Sequence, residues 1–153
     1  MSNSAASIVA RRTIETDRER TFDFLSDIDN HWLLADRFLE VIDLNGDRGG
    51  TRSENGLVRI KGPLGSARTV ATRVLETEPP RRISGLAEVG RGTVAHVTWT
   101  LDPAQQGVHV CLVAQVERAG LLDRLLLAIG GRIWLRTRFE AVLAQLDHLL
   151  ASG

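Results

Sequence analysis

The sequence predicts an α+β domain in which a curved antiparallel sheet of about seven strands packs against one long C-terminal helix. Residues 8–34 fit one strand followed by two short helices. Residues 38–116 form short alternating segments separated by turn signals, with no helix between them, which is typical of an antiparallel meander. Residues 121 to about 150 carry apolar residues at helical spacing.

The length and the amino-acid composition indicate one ordinary globular domain over residues 1–153, with residues 1–6 expected to be disordered. Formal net charge is zero, so composition gives no reason to expect nucleic acid as a partner. No apolar run is long enough to insert stably in a membrane. Because Cys111 is the single cysteine and the start lacks signal-peptide order, we expect a cytoplasmic location.

The first strand is expected over residues 8–16, where apolar and polar side chains alternate. Asp17 then provides an N-cap for a short helix, with Phe22 and Leu25 on one face. A second short helix would carry Trp32. Further along, Asn55-Gly56 predicts a hairpin turn.

Two later segments, residues 93–101 and 108–116, alternate most clearly, so one sheet face is expected to be buried and the other wet. The apolar positions are Ala95, Val97, Trp99 and Leu101 in the first and Val108, Val110, Leu112, Ala114 and Val116 in the second. His96 and His109 fall on the opposite, outward face. Two histidines and one cysteine are too few for an ordinary zinc site, so we expect no metal.

Apolar residues in the predicted tail helix are spaced alternately four and three residues apart and form a stripe. Arg132 is the one residue that interrupts this stripe. A second stripe widens the apolar surface of its first half, which indicates a cavity wall, a lid or a homodimer contact. That second stripe consists of Leu122, Leu126, Ile129 and Ile133. On the exposed side, Arg136 and Glu140 are four residues apart and are expected to pair.

The segments TIETDRERTFDFLSDIDNHW (residues 13–32) and GPLGSARTVATRVLETEPPRRI (residues 62–83), together with the final helix, resemble the START-like superfamily. The resemblance to this superfamily, also called the SRPBCC or helix-grip group, covers about residues 8–150. The chain is most similar to the bacterial polyketide cyclase/dehydrase-type members. The resemblance implies a cavity between sheet and helix that holds a small, largely apolar molecule. Family members include lipid carriers and aromatase/cyclases, so the fold alone leaves the activity open.

Candidate ligand-binding residues follow from the inward strand positions, from the tail helix and, for Trp32, from the resemblance, which implies that the second short helix lies near the cavity mouth. They are Arg12, Trp32, Val58, Ile60, Val97, Trp99, Leu112, Ile129, Arg132 and Ile133. Arg132 and Arg12, if both face the cavity, would favour a ligand that bears a carboxylate. The alternatives are that Arg132 extends to the helix flank, that Trp99 is plain core, and that Trp32 anchors its short helix.

Three functions are consistent with the sequence. The first is a binding or carrier protein without chemistry. The second is a polyketide cyclase/dehydrase-like enzyme acting on a ligand in the cavity, mainly by positioning and electrostatics. The third is a homodimeric or protein-interaction module. No cofactor is expected, and the residues do not identify the ligand or decide whether turnover occurs.

Overall fold

The computed structural model describes residues 7–26, 30, 39–43, 55–61, 67–89, 92–120 and 132–152. These residues form one sheet and two helices. In chain order the elements are β1 (Ser7–Ile14), α1 (Arg18–Leu25), β2 (Leu39–Asp43), β3 (Asn55–Lys61), β4 (Ala67–Glu78), β5 (Arg82–Val89), β6 (Thr93–Ala104), β7 (Gly107–Arg118) and α2 (Arg132–Ser152).

The described strands lie in the order β1-β7-β6-β5-β4-β3-β2, and every neighbouring pair is antiparallel. Strands β2 to β7 are therefore neighbours in sequence and in space, whereas β1 returns to pair with β7. The predicted α+β class, the antiparallel sheet and the C-terminal helix are confirmed. The second short helix and the first part of the tail helix were predicted at positions outside the described residues.

Alternation in β6 and β7 places one apolar face against α2, and we call it the inner face. The inward positions predicted in residues 93–101 and 108–116 are buried there, except that Val97 and Val116 are half-buried. Ile83 of β5 and Ile14 of β1 share this face, since they are buried in the same cluster as Trp99 and Val108. A sheet with one buried and one wetter face matches the usual antiparallel arrangement.

Helix α1 begins where the sequence predicts. The Asp17 carboxylate accepts a hydrogen bond from the Arg20 backbone N–H at 2.7 Å, which satisfies one of the free donors of the first turn. Phe22 and Leu25 are buried, with exposures of 4% and 1%. The cap therefore fixes the start of a helix whose apolar side closes one end of the core.

The buried stripe of α2 differs slightly from the predicted one. Leu146 is buried as expected, but Leu143 and Leu150 are buried more deeply than Val142 and Leu149, which are half-buried. Steps of four and three average 3.5 residues, whereas a straight α-helix has 3.6 residues per turn. The sheet-facing side therefore drifts by about 20° per heptad, and over the four heptads of the predicted stripe, from residue 121 to residue 149, this amounts to about 80°, close to the step of about 100° to the next residue.

The sequence predicted a hairpin turn at Asn55-Gly56, but these two residues form the first part of β3. The register pairs Asn55 with Arg73 and Gly56 with Thr72 of β4. Here the ladder of backbone hydrogen bonds to β4 outweighs a local preference for a turn, because intrinsic propensity is a weak guide inside a sheet.

Gly107, the first residue of β7, has φ of +126°, a region that residues with a side chain rarely adopt. A Cβ at this position would also collide with the carbonyl oxygen of Ile14 at the end of β1. The close approach of β1 to β7 therefore depends on the missing side chain.

Gly107→Ala is expected to lower the free energy of unfolding by about 2 kcal/mol or more, because strain and collision add together. Gly92→Ala is the matched control: its φ is +92°, but a Cβ there meets nothing within 4 Å. That substitution should cost only about 1–2 kcal/mol, from backbone strain alone. Urea unfolding of both variants provides the comparison, and equal losses would contradict the collision.

Candidate functional site

One end of the inner face is filled by large side chains that are almost completely buried; we call this the tight end. Ile14, Leu101 and Val108 have no exposed surface, and Val110 has 1%. The C-terminal half of α2 and the apolar side of α1 cover them. The buried members of this cluster are Ala10, Ile14, Phe22, Leu25, Ile83, Trp99, Leu101, Val108, Val110, Leu112, Leu143, Leu146 and Leu150.

Further along the same face, the side chains become short across three neighbouring strands. Ala95 of β6 pairs with Ala87 of β5, and in the next row Val97 lies between Gly85 of β5 and Ala114 of β7. We call Gly85, Ala87, Ala95 and Ala114 the small-residue floor. Short side chains fill less of the space above a sheet than the Leu and Trp residues of the tight end do.

Burial across the floor is only slightly less complete than burial at the tight end. Ala95 and Ala114 are buried, at 8% and 5% exposure, yet they do not belong to the cluster around the α2 leucines. Val97 is half-buried, and so is Val74 of β4, at the far side of Gly85. Both valines pack against the cluster of the tight end, and Ile8, the partner of Ala114, is 3% exposed. The floor therefore differs from the tight end in the size of its side chains more than in their burial.

Gly85 has a structural reason for lacking a side chain. Strand β4 contains a bulge between Val74 and Glu76, directly opposite Gly85 and Ser84. A Cβ on Gly85 would lie 2.6 Å from the Arg73 carbonyl oxygen, which is too close for unstrained packing. The bulge therefore requires glycine at this point of the floor.

Arg12 shares its strand parity with the buried Ala10 and Ile14, as predicted, but its side chain is 44% exposed. Its Nε donates to the Asp147 carboxylate of α2 at 3.0 Å. β1 is the edge strand next to α2, so the guanidinium bridges strand and helix at the rim of the sheet. Along β1, Arg12 lies four residues from Ile8, which pairs with Ala114 of the floor. This spacing corresponds to about 13 Å.

The other predicted ligand-binding residues fall in different places. Trp99 and Leu112 belong to the tight end, and Val97 lies between the floor residues. Ile133 is 74% exposed near the start of α2. In the backbone, Val58 and Ile60 pair with Val70 and Arg68 of β4, and Arg132 is the first residue of α2; Trp32 and Ile129 lie outside the described residues.

The outward histidines are not neighbours. His96 pairs with Gln115 and His109 with Asp102, so the two rings are several residues apart along the sheet. The Nδ1 atom of His109 is 2.7 Å from the Thr13 hydroxyl, and that of His96 is 3.5 Å from the Thr98 hydroxyl. Within the described part of the chain, no three His, Cys, Asp or Glu side chains are grouped to hold a metal.

Sequence reasoning did not single out Ala87, Ala95 and Ala114, the residues that distinguish the floor. Alternation marked Ala95 and Ala114 as inward, whereas Ala87 was not assigned to a face, and side-chain sizes were not compared. The cross-strand register shows that three short side chains and one glycine lie together.

A family model described as polyketide cyclase/dehydrase and lipid transport matches residues 5–151, which is nearly the whole chain. The chain belongs to this family. Its fold is the START/SRPBCC polyketide cyclase-like fold, which confirms the resemblance read from the sequence. No curated protein matches the chain.

Solved structures share the fold at low sequence identity. A protein from Thermus thermophilus is 18% identical with a TM-score of 0.72, covering 96% of this chain and 98% of its own. A START superfamily protein from Mycobacterium smegmatis is 10% identical with a TM-score of 0.68, covering 95% and 97%. A Rhodobacter sphaeroides protein is 22% identical with a TM-score of 0.63, covering 98% and 94%.

Neither α1 nor α2, as far as the structure describes them, is long and apolar enough to cross a membrane.

The Arg12–Asp147 pair is expected to contribute little to stability. Both side chains are partly exposed, at 44% and 29%, and exposed ion pairs are typically worth about 0–1 kcal/mol. Asp147→Asn should therefore change the unfolding free energy by less than about 1 kcal/mol. Leu146→Ala, one residue away but fully buried, should cost about 2–5 kcal/mol. Chemical denaturation measures both, and similar losses would show that the pair anchors the helix.

Proposed function

We propose that the protein binds a small, largely apolar molecule between the inner face and α2, above the small-residue floor. The observation that carries the proposal is the change in side-chain size along one continuous apolar face. Leu, Ile and Trp fill the tight end, whereas Ala and Gly line the centre of β5, β6 and β7. Apolar concave sites of this kind are the usual binding places for lipophilic ligands.

The family description supports this proposal because it includes lipid transport. Trp99 would form the inner wall, next to Leu112, and Val97 would contact the ligand from the floor itself. Val58 and Ile60 of β3, with Trp32 and Ile129, are proposed as further contacts on the basis of the sequence. Ile133 is left out of this set because its side chain is 74% exposed. A homodimer and a cytoplasmic location likewise remain predictions of the sequence.

The family description also names cyclases and dehydrases, so an enzyme is the second candidate. Around the floor, the described inner-face side chains are Ala, Val, Thr and Ile8, with Thr72 and Thr93 as the polar members. These side chains do not exchange protons readily near neutral pH, so an acid–base step would need residues beyond them. We therefore favour binding.

Ala95→Leu is expected to abolish or strongly weaken binding with little change in stability. If the space above the floor is occupied by a ligand, the larger side chain fills it. N-phenyl-1-naphthylamine, a neutral probe that fluoresces in apolar surroundings, would show at least a tenfold weaker Kd. Thr98→Leu is the matched control, because Thr98 lies on the same strand with the opposite parity.

The opposite result has a distinct signature. A solidly packed interior would make Ala95→Leu destabilising by about 1–3 kcal/mol through overpacking. Wild-type protein would then bind no probe, and native mass spectrometry would detect no co-purified small molecule. That pair of results would refute the binding proposal.

Substitution of Arg132 tests whether the ligand carries a negative charge. We propose that this residue anchors a carboxylate, because its helical spacing matches the apolar stripe of α2. Dodecanoate should then bind more tightly than dodecanol, and Arg132→Met should weaken only dodecanoate, by about tenfold. Arg12→Met is the control, since its guanidinium already holds Asp147. Equal binding of acid and alcohol, unchanged in Arg132→Met, would exclude the carboxylate anchor.

A further inference from the structure

The first two turns of α2 carry a surface unlike the rest of the helix. Residues 133–138 contain Arg136 and Arg138 and no acidic residue, whereas residues 139–152 contain Glu140 and Asp147 and no Arg or Lys. The chain as a whole has no net charge. Positive charge is therefore concentrated at one end of this helix.

Apolar surface is exposed at the same place. Ile133 is 74% exposed, the highest value among the large hydrophobic side chains of the described residues. One exposed isoleucine is ordinary on a soluble protein. Its position among arginines and beside Trp134 makes it part of a mixed apolar and cationic patch.

Trp134 and Arg138 contact each other on the flank of this patch. The Arg138 guanidinium carbon lies 5.1 Å from the centre of the indole ring, a cation–π distance. Arg136 is 66% exposed and lies 3.6 Å from Glu140 in a loose ion pair. Trp at an apolar–polar boundary, with Arg stems that keep their charges in water, is the composition of a helix that lies on a membrane.

From these observations we propose that the start of α2, marked by Ile133, Trp134, Arg136 and Arg138, docks on the surface of an anionic lipid bilayer. Ile133 would enter the headgroup region, and the arginines would contact lipid phosphates. A second copy is a poorer occupant, because a two-fold contact of this patch with itself would bring like charges together. The patch lies outside the small-residue floor, so the proposal does not depend on ligand binding there.

Docking at this point is expected to be superficial and reversible. No described helix can span a bilayer, and the exposed apolar area centres on one side chain. Attraction of arginine to anionic lipid is electrostatic and falls off within a Debye length. Binding should therefore require anionic lipid and weaken as salt is added.

The test is co-sedimentation of the purified full chain with vesicles, without added ligand. Vesicles of phosphatidylcholine with about 30% phosphatidylglycerol should bind the protein in low salt, and pure phosphatidylcholine vesicles should bind it at least about fivefold less. Ile133→Glu should weaken binding by about tenfold, since it removes apolar area and adds a negative charge. Ala151→Glu is the matched control, because it adds the same charge at an exposed position near the other end of α2, away from the patch, and should change binding less than about twofold.

Arg136→Gln is a second variant that removes charge without touching Ile133, and it should weaken binding by about fivefold. Circular dichroism melting must show that each variant is folded. Three outcomes would overturn the proposal: no binding to anionic vesicles, equal binding to both vesicle types, or Ile133→Glu binding as tightly as Ala151→Glu. If the patch serves a protein partner instead, the first of these outcomes is the one expected.

Discussion

The packing of the C-terminal half of α2 against β1, β7 and β6 is the contact on which the described structure depends. Leu143 and Leu146 have 1% and 0% exposure and lie against side chains of the central strands. Without them, the apolar face of the sheet would be open to water over its most hydrophobic part. The same contact fixes the direction of α2, and so decides where its first turns lie relative to the sheet.

A close-packed core at one end allows the other end to be less complete. Buried large side chains supply most of the hydrophobic stabilisation, because it scales with the apolar area removed from water. Ala95 and Ala114 contribute little area, so the floor can be shaped by other needs at small cost to folding. Stability and the proposed binding thus reside in different parts of one face, and the division falls between the rows of Trp99 and Val97.

The architecture was predictable because its signals are local and periodic. Alternation in β6 and β7, the Asp17 cap and the stripe containing Leu146 each require only neighbouring residues, and the structure bears them out. The expected Arg136–Glu140 pair is also present, at 3.6 Å. Predictions that depend on non-local context fared differently: Asn55-Gly56 lies within β3, and Arg12 has a partner on α2. Neither the strand opposite Asn55 nor the proximity of Asp147 can be read from spacing.

The pairing of β1 with β7 has a consequence for how the chain can fold during synthesis. Ser7 pairs with Gln115 and Ile14 with Val108, so the first strand completes its ladder with the last. A nascent chain emerging from the ribosome must hold β1, with its buried-face residues Ile8 and Ile14, without a partner until β7, which begins at residue 107, has been translated. Such long-range closure slows folding and leaves an unpaired strand available to other chains. The exposed Arg11, Arg12 and Thr13 in that strand give it the charged, polar edge that discourages premature association.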